Sequence, residues 1–192
     1  MRKRGPARKQ TFSAKVGDLS YFLSLPHKSR GMNLFDPENP PRLTLAHRKG
    51  TLSATEIRRR FPQADVGVGL LYLWHDHWEE AHEIAQSREG ERHHDMLHGI
   101  LHRKEGDFSN ALYWFRSAGR HPCFPQIAAG VAALSVRHGC PVPSFAQKDW
   151  DPAGFVHAVK TPATTPGEGF LRAVQAVEFM TFHAWLRQHE SP

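Results

Sequence analysis

Cysteine is scarce, with Cys123 and Cys140 the only two in 192 residues. That excludes a disulfide framework and a cysteine-rich zinc module. Long apolar runs are missing too. The longest apolar-rich stretch, Val66 to Trp74, falls far short of the roughly 20 residues a membrane helix needs, so no membrane partner is expected. No apolar stretch follows the basic N-terminus, which argues against a secretory leader and for a cytoplasmic protein. Alternating strand patterns are few. A nucleophile elbow, a phosphate-binding glycine loop, a dinucleotide fingerprint and zinc-finger spacing are all absent. The five tryptophans are spread too widely to form a base-stacking platform.

Positive charge is present, but at one end. Residues 1–30 carry Arg2, Lys3, Arg4, Arg8, Lys9, Lys15, Lys28 and Arg30 against Asp18 alone, eight bases to one acid, a net of +7. The other 162 residues hold 17 bases and 18 acids, a net of −1. The high isoelectric point therefore belongs to an arm and not to the body. Such an arm is a weak pointer to nucleic acid, through counterion release from phosphates.

The chain reads as two parts. Residues 1–60 form a basic, weakly ordered arm and strap, interrupted by Asp36-Pro37-Glu38-Asn39-Pro40-Pro41, which neither a helix nor a central strand tolerates. Leu43, Leu45, Leu52 and Ile57 are placed to anchor it along the body. Ser53 and Glu56 have capping-box spacing for a short helix through Arg60, stopped before Pro62. Residues 61–192 form a single α-helical domain with its core at 65–122, and the class is mainly α, antiparallel helical hairpins in a bundle.

Within that domain Val66–Trp74 is apolar all round, so periodicity leaves helix and buried strand both open. Asp76 stands three before Glu79 and is expected to cap a helix reaching about Arg88, with Trp78, Ala81, His82 and Ala85 on one face. A helix from about His93 to Glu105 buries Leu97, Ile100 and Leu101 and closes at Gly106. Asp107 or Ser109 caps a third, with Ala111, Trp114, Phe115 and Ala118 inward, ending at Gly119. Further helices are expected over Pro125–Arg137, from Asp151-Pro152 through Val159, and over Glu168–Gln188, with a loop from Thr161 to Gly169.

The residues suited to chemistry fall on one flank. At about 100° per residue, His94, Glu105, His98, His102 and Asp95 crowd into roughly a quarter-turn beside the apolar face. His98 and His102, at i and i+4, have the spacing by which a helix offers two imidazoles to one ion. Glu79 and His82 make an E-x-x-H pair of the kind that serves metal sites inside helical bundles. His82-Glu83-Ile84-Ala85-Gln86 misses the H-E-x-x-H protease signature, because Gln86 replaces the second histidine. His82 and Gln86, also i and i+4, are expected to face His98 and His102 across a hairpin turned at Gly90. Arg103, Glu105, Asp107 and Asn110 supply further donors and acceptors. His75, His77 and His93 read as solvated, and Glu79, Glu80, Glu83 and Glu89 as an exposed helix face.

The run Ala81-His82-Glu83-Ile84-Ala85-Gln86, then His98-Gly99-Ile100-Leu101-His102-Arg103-Lys104-Glu105-Gly106-Asp107, Asn110-Ala111, Tyr113-Trp114 and His121-Pro122, resembles an uncharacterised family of bacteria and fungi. The resemblance covers about a third of the chain and implies that this segment is the core, with no activity attached. Gly106 to Gly119 also resembles one half of a tetratricopeptide-like helical hairpin, without a second copy at the period an array requires.

The leading expectation is thus a non-enzymatic binding or scaffold domain needing no cofactor. Its pocket for a small molecule or peptide would be lined by His82, Gln86, His98, His102, Arg103, Glu105 and Asn110. The alternative is a metal-dependent hydrolase or oxidoreductase that holds a divalent transition metal with His82, His98 and His102 and either Glu79 or Glu105.

Overall fold

The structure, a computed structural model, describes residues 28–29, 32–36, 40–45, 52–161 and 167–189. The basic arm lies almost wholly outside the described residues, as does 162–166 of the expected loop. Eight α-helices follow in order: α1 (Ala54–Arg60), α2 (Val66–Trp74), α3 (Trp78–Gln86), α4 (Arg92–Glu105), α5 (Phe108–Ala118), α6 (Phe124–Arg137), α7 (Pro152–Lys160) and α8 (Glu168–His189). A 3₁₀ turn, Ser144–Ala146, precedes α7, and Lys28–Ser29 pairs antiparallel with Met32–Asn33. The mainly α class is as expected. No helix among the described residues is long and apolar enough to cross a membrane.

Local signals explain most boundaries. The Ser53 hydroxyl accepts from the Glu56 N–H to open α1, and the Asp65 carboxylate accepts from the Val68 N–H at 2.8 Å to open α2. That cap resolves the Val66–Trp74 ambiguity in favour of a helix, buried at every residue. The Asp107 carboxylate caps α5 and that of Asp151 caps α7. Gly106, at φ 92°, takes the left-handed conformation that closes α4.

One cap differs from expectation. Asp76 does not start α3; His77 occupies the N-cap position, and Asp76 sits at φ 62°, an uncommon conformation for a residue with a side chain. Its carboxylate serves a stronger demand, lying 3.0 Å from Nζ of Lys104, whose side chain is fully buried. A buried ammonium without a counter-charge costs far more than a lost cap, so the ion pair wins. The helix also stops at Gln86, short of Arg88.

Helix α4 is the axis of the fold. It packs on α2, α3 and α5, while α8 packs on α2 and α6, and α7 covers α5. From His94 to Lys104 every residue is buried, polar ones included. Several of the polar members are matched individually. Arg103 makes a bidentate pair with Glu178 of α8, Nη1 donating to Oε1 at 3.0 Å, and its guanidinium lies 4.5 Å over the Phe155 ring. Asp95 accepts from the Gly90 N–H and from the Ser117 hydroxyl. Lys104 also donates to the Arg42 carbonyl at 3.0 Å, and its own carbonyl accepts from the Leu45 N–H at 2.8 Å. With Arg172 donating to Pro40 and Gln175 to Arg42, residues 40–45 are strapped across α4 and α8, with Leu43 buried beneath them.

Close approach of α5 to α4 depends on Gly99. A Cβ there would lie 2.7 Å from Cδ1 of Phe115, with two more ring carbons inside 3.0 Å. A rigid ring that is itself buried has little room to yield. Gly99→Ala is expected to destabilise the protein by about 1–3 kcal/mol, despite alanine's better helix propensity. Urea unfolding checks this; an unchanged or higher midpoint would show that the interface is loose.

Candidate metal centre

Three imidazoles from two helices converge beside α4. His82 projects from α3, and His98 and His102 project one turn apart from α4. One ring nitrogen of each lies within 4.8 Å of those of the other two. Ring centroids are 5.0 Å apart for His82–His98, 5.7 Å for His82–His102 and 4.8 Å for the stacked His98–His102 pair. Nitrogens sharing a tetrahedral zinc, with bonds near 2.0–2.1 Å, are roughly 3.4 Å apart, so the most distant pair here needs to close by at most about 1.4 Å.

Tryptophans wall the cluster on two sides. Trp78 stacks on His82 at 4.5 Å, one turn earlier on α3, and Trp114 of α5 stacks on His98 at 4.0 Å. These plates restrict ring rotation and keep the imidazoles partly dry. His98 is 2% exposed and its Nδ1 is buried with no hydrogen-bond partner among the described residues. Burial pushes its pKa down to about 3, and proximity to His102 and His82 acts in the same direction. His82 is lowered by burial first and by His102 second. Both rings therefore hold a free lone pair at neutral pH, as a metal ligand must.

His102 is oriented from outside the cluster. Its Nδ1 lies 2.7 Å from Oε2 of Glu105. A carboxylate only accepts, so Nδ1 carries the proton and Nε2 the lone pair. This carboxylate–imidazole arrangement is the usual support behind a metal-bound histidine. In the structure the Nε2 lone pair is met by the Asn110 side-chain amide at 3.1 Å, and Nε2 of His82 by that of Gln86 at 3.2 Å.

Of the residues the sequence nominates, His82, Gln86, His98, His102, Glu105 and Asn110 come together. Arg103 does not. It points to the other side of α4, into its pair with Glu178, because residues one apart on a helix diverge by about 100°. Glu79 is exposed and outside the three-histidine group. Two cavities, of about 350 Å³ beside Leu34, Phe61 and His183 and about 430 Å³ beside Phe115, Phe124 and Trp150, contain none of the three histidines. The convergence at the imidazoles is on the scale of an ion.

Sequence reasoning missed a second assembly and misjudged its neighbours. His93, expected in solvent, presents Nδ1 to Nε2 of fully buried His121 at 2.8 Å. His121 Nδ1 accepts from the Cys123 N–H at 3.1 Å and lies 2.9 Å from its sulfur. His75 and His77 are likewise tied down, to the backbone of Leu34 and Leu52. Each replaces water with a carbonyl or amide of the chain packed over it, a tertiary event without a local signal. The Cys123 thiol is pushed far above its ordinary pKa by burial, which makes it an inert packing residue.

In comparison with known proteins, the chain matches no family model, and neither a curated protein nor a solved structure proved similar to it.

Acid should weaken this fold. Burial first, then His93 and Arg92, push His121 down to about 3, against about 6.5 in the unfolded chain. Between those values the unfolded state binds the proton and the folded state does not. The contribution is therefore full above about pH 6.5 and is lost progressively as pH falls toward 3. His121→Asn keeps an acceptor near the Nδ1 position and removes the titration. Urea unfolding at pH 7 and pH 5 should give a smaller loss of stability for this variant than for the parent, and an equal loss would place the acid sensitivity elsewhere.

Proposed function

We propose that this protein is a helical metal-binding domain, holding one divalent transition-metal ion through His82, His98 and His102. The observation that carries this reading is the convergence of three imidazole nitrogens within 4.8 Å, one of them on a buried ring with an unpartnered nitrogen. A buried imidazole nitrogen left without a partner is costly, and a metal ion is one of the few things that answers it.

The donor set indicates the class of ion. Three neutral imidazoles, with neither thiolate nor carboxylate among them, suit zinc, copper, nickel or cobalt, and offer little to calcium or magnesium, which take oxygen ligands. Glu105 is the positioning residue, setting the His102 tautomer and raising its basicity. Trp78 and Trp114 hold the rings of His82 and His98 and limit water. The resemblance to an uncharacterised family, which runs from Ala81 to Pro122, includes all three histidines and is consistent with this segment as the core.

The number of donors supports a second reading. Three protein ligands leave a tetrahedral ion's fourth position for water or a substrate, which is how catalytic zinc sites differ from structural ones. A hydrolase using that position is the enzymatic form of the proposal, and metal-dependent turnover of an activated ester, abolished in His98→Ala, distinguishes it from a pure binding domain.

The test is titration of tag-free protein with zinc or cobalt at pH 7, followed by calorimetry and elemental analysis. One equivalent should bind, His98→Ala should abolish stoichiometric binding, and Glu105→Gln should weaken it by roughly 10–100-fold. Less than about a tenth of an equivalent of any transition metal, across all of these conditions, contradicts the reading.

A further inference from the structure

We infer that Gln86 and Asn110 form a pair of amide gates on this site, each occupying an imidazole lone pair that the ion needs and swinging away when the ion binds. The inference rests on the metal-binding reading and concerns how that binding is regulated.

The geometry is specific to the two lone pairs. Because Glu105 takes the Nδ1 proton of His102, its Nε2 is an acceptor, and the Asn110 amide nitrogen sits 3.1 Å from it. The Gln86 amide nitrogen, which can only donate, sits 3.2 Å from Nε2 of His82, which therefore accepts. A nitrogen lone pair in the ring plane serves either an N–H donor or a metal, not both. An ion taken by these two nitrogens therefore breaks both amide contacts. Binding must also draw the ligand nitrogens inward from a separation of up to 4.8 Å.

The third ring has no such cap. His98 Nδ1 has no hydrogen-bond partner among the described residues, so two of the imidazoles are capped and one nitrogen is left unanswered. Two of the rings are capped by amides and two are stacked against indoles. Both gates stand on helices where release is cheap. Gln86 is exposed at the end of α3, and Asn110 is half-buried in the first turn of α5, where its backbone N–H stays with Asp107 whatever its side chain does. A neutral hydrogen bond is worth about 1 kcal/mol net, so each gate should cost roughly two- to tenfold in affinity.

The probe is zinc, or cobalt for its visible spectrum, titrated into the full chain without a tag. Gln86→Ala and Asn110→Ala remove the gates one at a time, and both place a good helix former in a helix, so folding is preserved. Each should tighten metal binding by roughly two- to tenfold, and the double variant by roughly the product. Asn110→Asp, which exchanges the donor for an acceptor able to reach the ion, should tighten it further and intensify the cobalt spectrum. Nitrogen chemical shifts of His102 should show Nε2 losing its amide partner in Asn110→Ala without a change at Nδ1. Unchanged or weaker affinity in both single variants, with the parent binding normally, overturns them. If parent and variants all fail to bind, the metal reading itself falls, and the gates with it.

Discussion

Everything in this fold depends on one constraint: a helix rich in polar side chains, α4, is buried on all sides for three turns. A buried donor or acceptor left without a partner costs about 1–3 kcal/mol, and a charged one more. The neighbouring elements are arranged as answers. Glu178 on α8 answers Arg103, Asp76 leaves its capping role to answer Lys104, Ser117 on α5 and the Gly90 N–H answer Asp95, and Glu105 with Asn110 answers His102. The strap at residues 40–45 is explained the same way, since its carbonyls receive Lys104, Arg172 and Gln175.

Against that background His98 stands out. It shares the burial of its neighbours, and its Nδ1, like that of His94 one turn earlier, has no hydrogen-bond partner among the described residues. It lies between two histidines and beneath an indole, where burial holds it neutral. What sets it apart is the convergence of its ring with those of His82 and His102, and the proposed metal site rests on that convergence. That neutrality makes the residue a ready donor at physiological pH. The surrounding shell divides by role: Glu105 orients, Trp78 and Trp114 confine, and Gln86 and Asn110 occupy what the ion would take.

Much of this was legible in the amino-acid sequence because it is local. Caps at Ser53, Asp107 and Asp151, the glycine stop at Gly106, and the i, i+4 pairs His98/His102 and His82/Gln86 follow from spacing along one helix. The meeting of those two pairs required only that α3 and α4 fold against each other about a short turn. What stayed hidden is long-range. Nothing near Asp76 announces Lys104, nothing near Arg103 announces Glu178, and His121 gives no sign that His93 will reach it. Arg103 reads in the sequence as a donor at the hairpin end, yet one helical step from His102 carries it to another face and to Glu178. Trp78 and Trp114 were readable as companions of His82 and His98 only in part. Trp78 is one turn from His82, but Trp114 arrives from another helix, brought close by Gly99.

The central claim concerns which atoms hold the ion, so it is tested most directly by X-ray absorption on zinc-loaded protein. The account predicts a first shell of four light scatterers at about 2.0–2.1 Å, with the outer-shell pattern of three imidazoles, falling to two in His82→Ala. An all-oxygen shell without imidazole scattering, in protein that binds one equivalent of zinc, would contradict it.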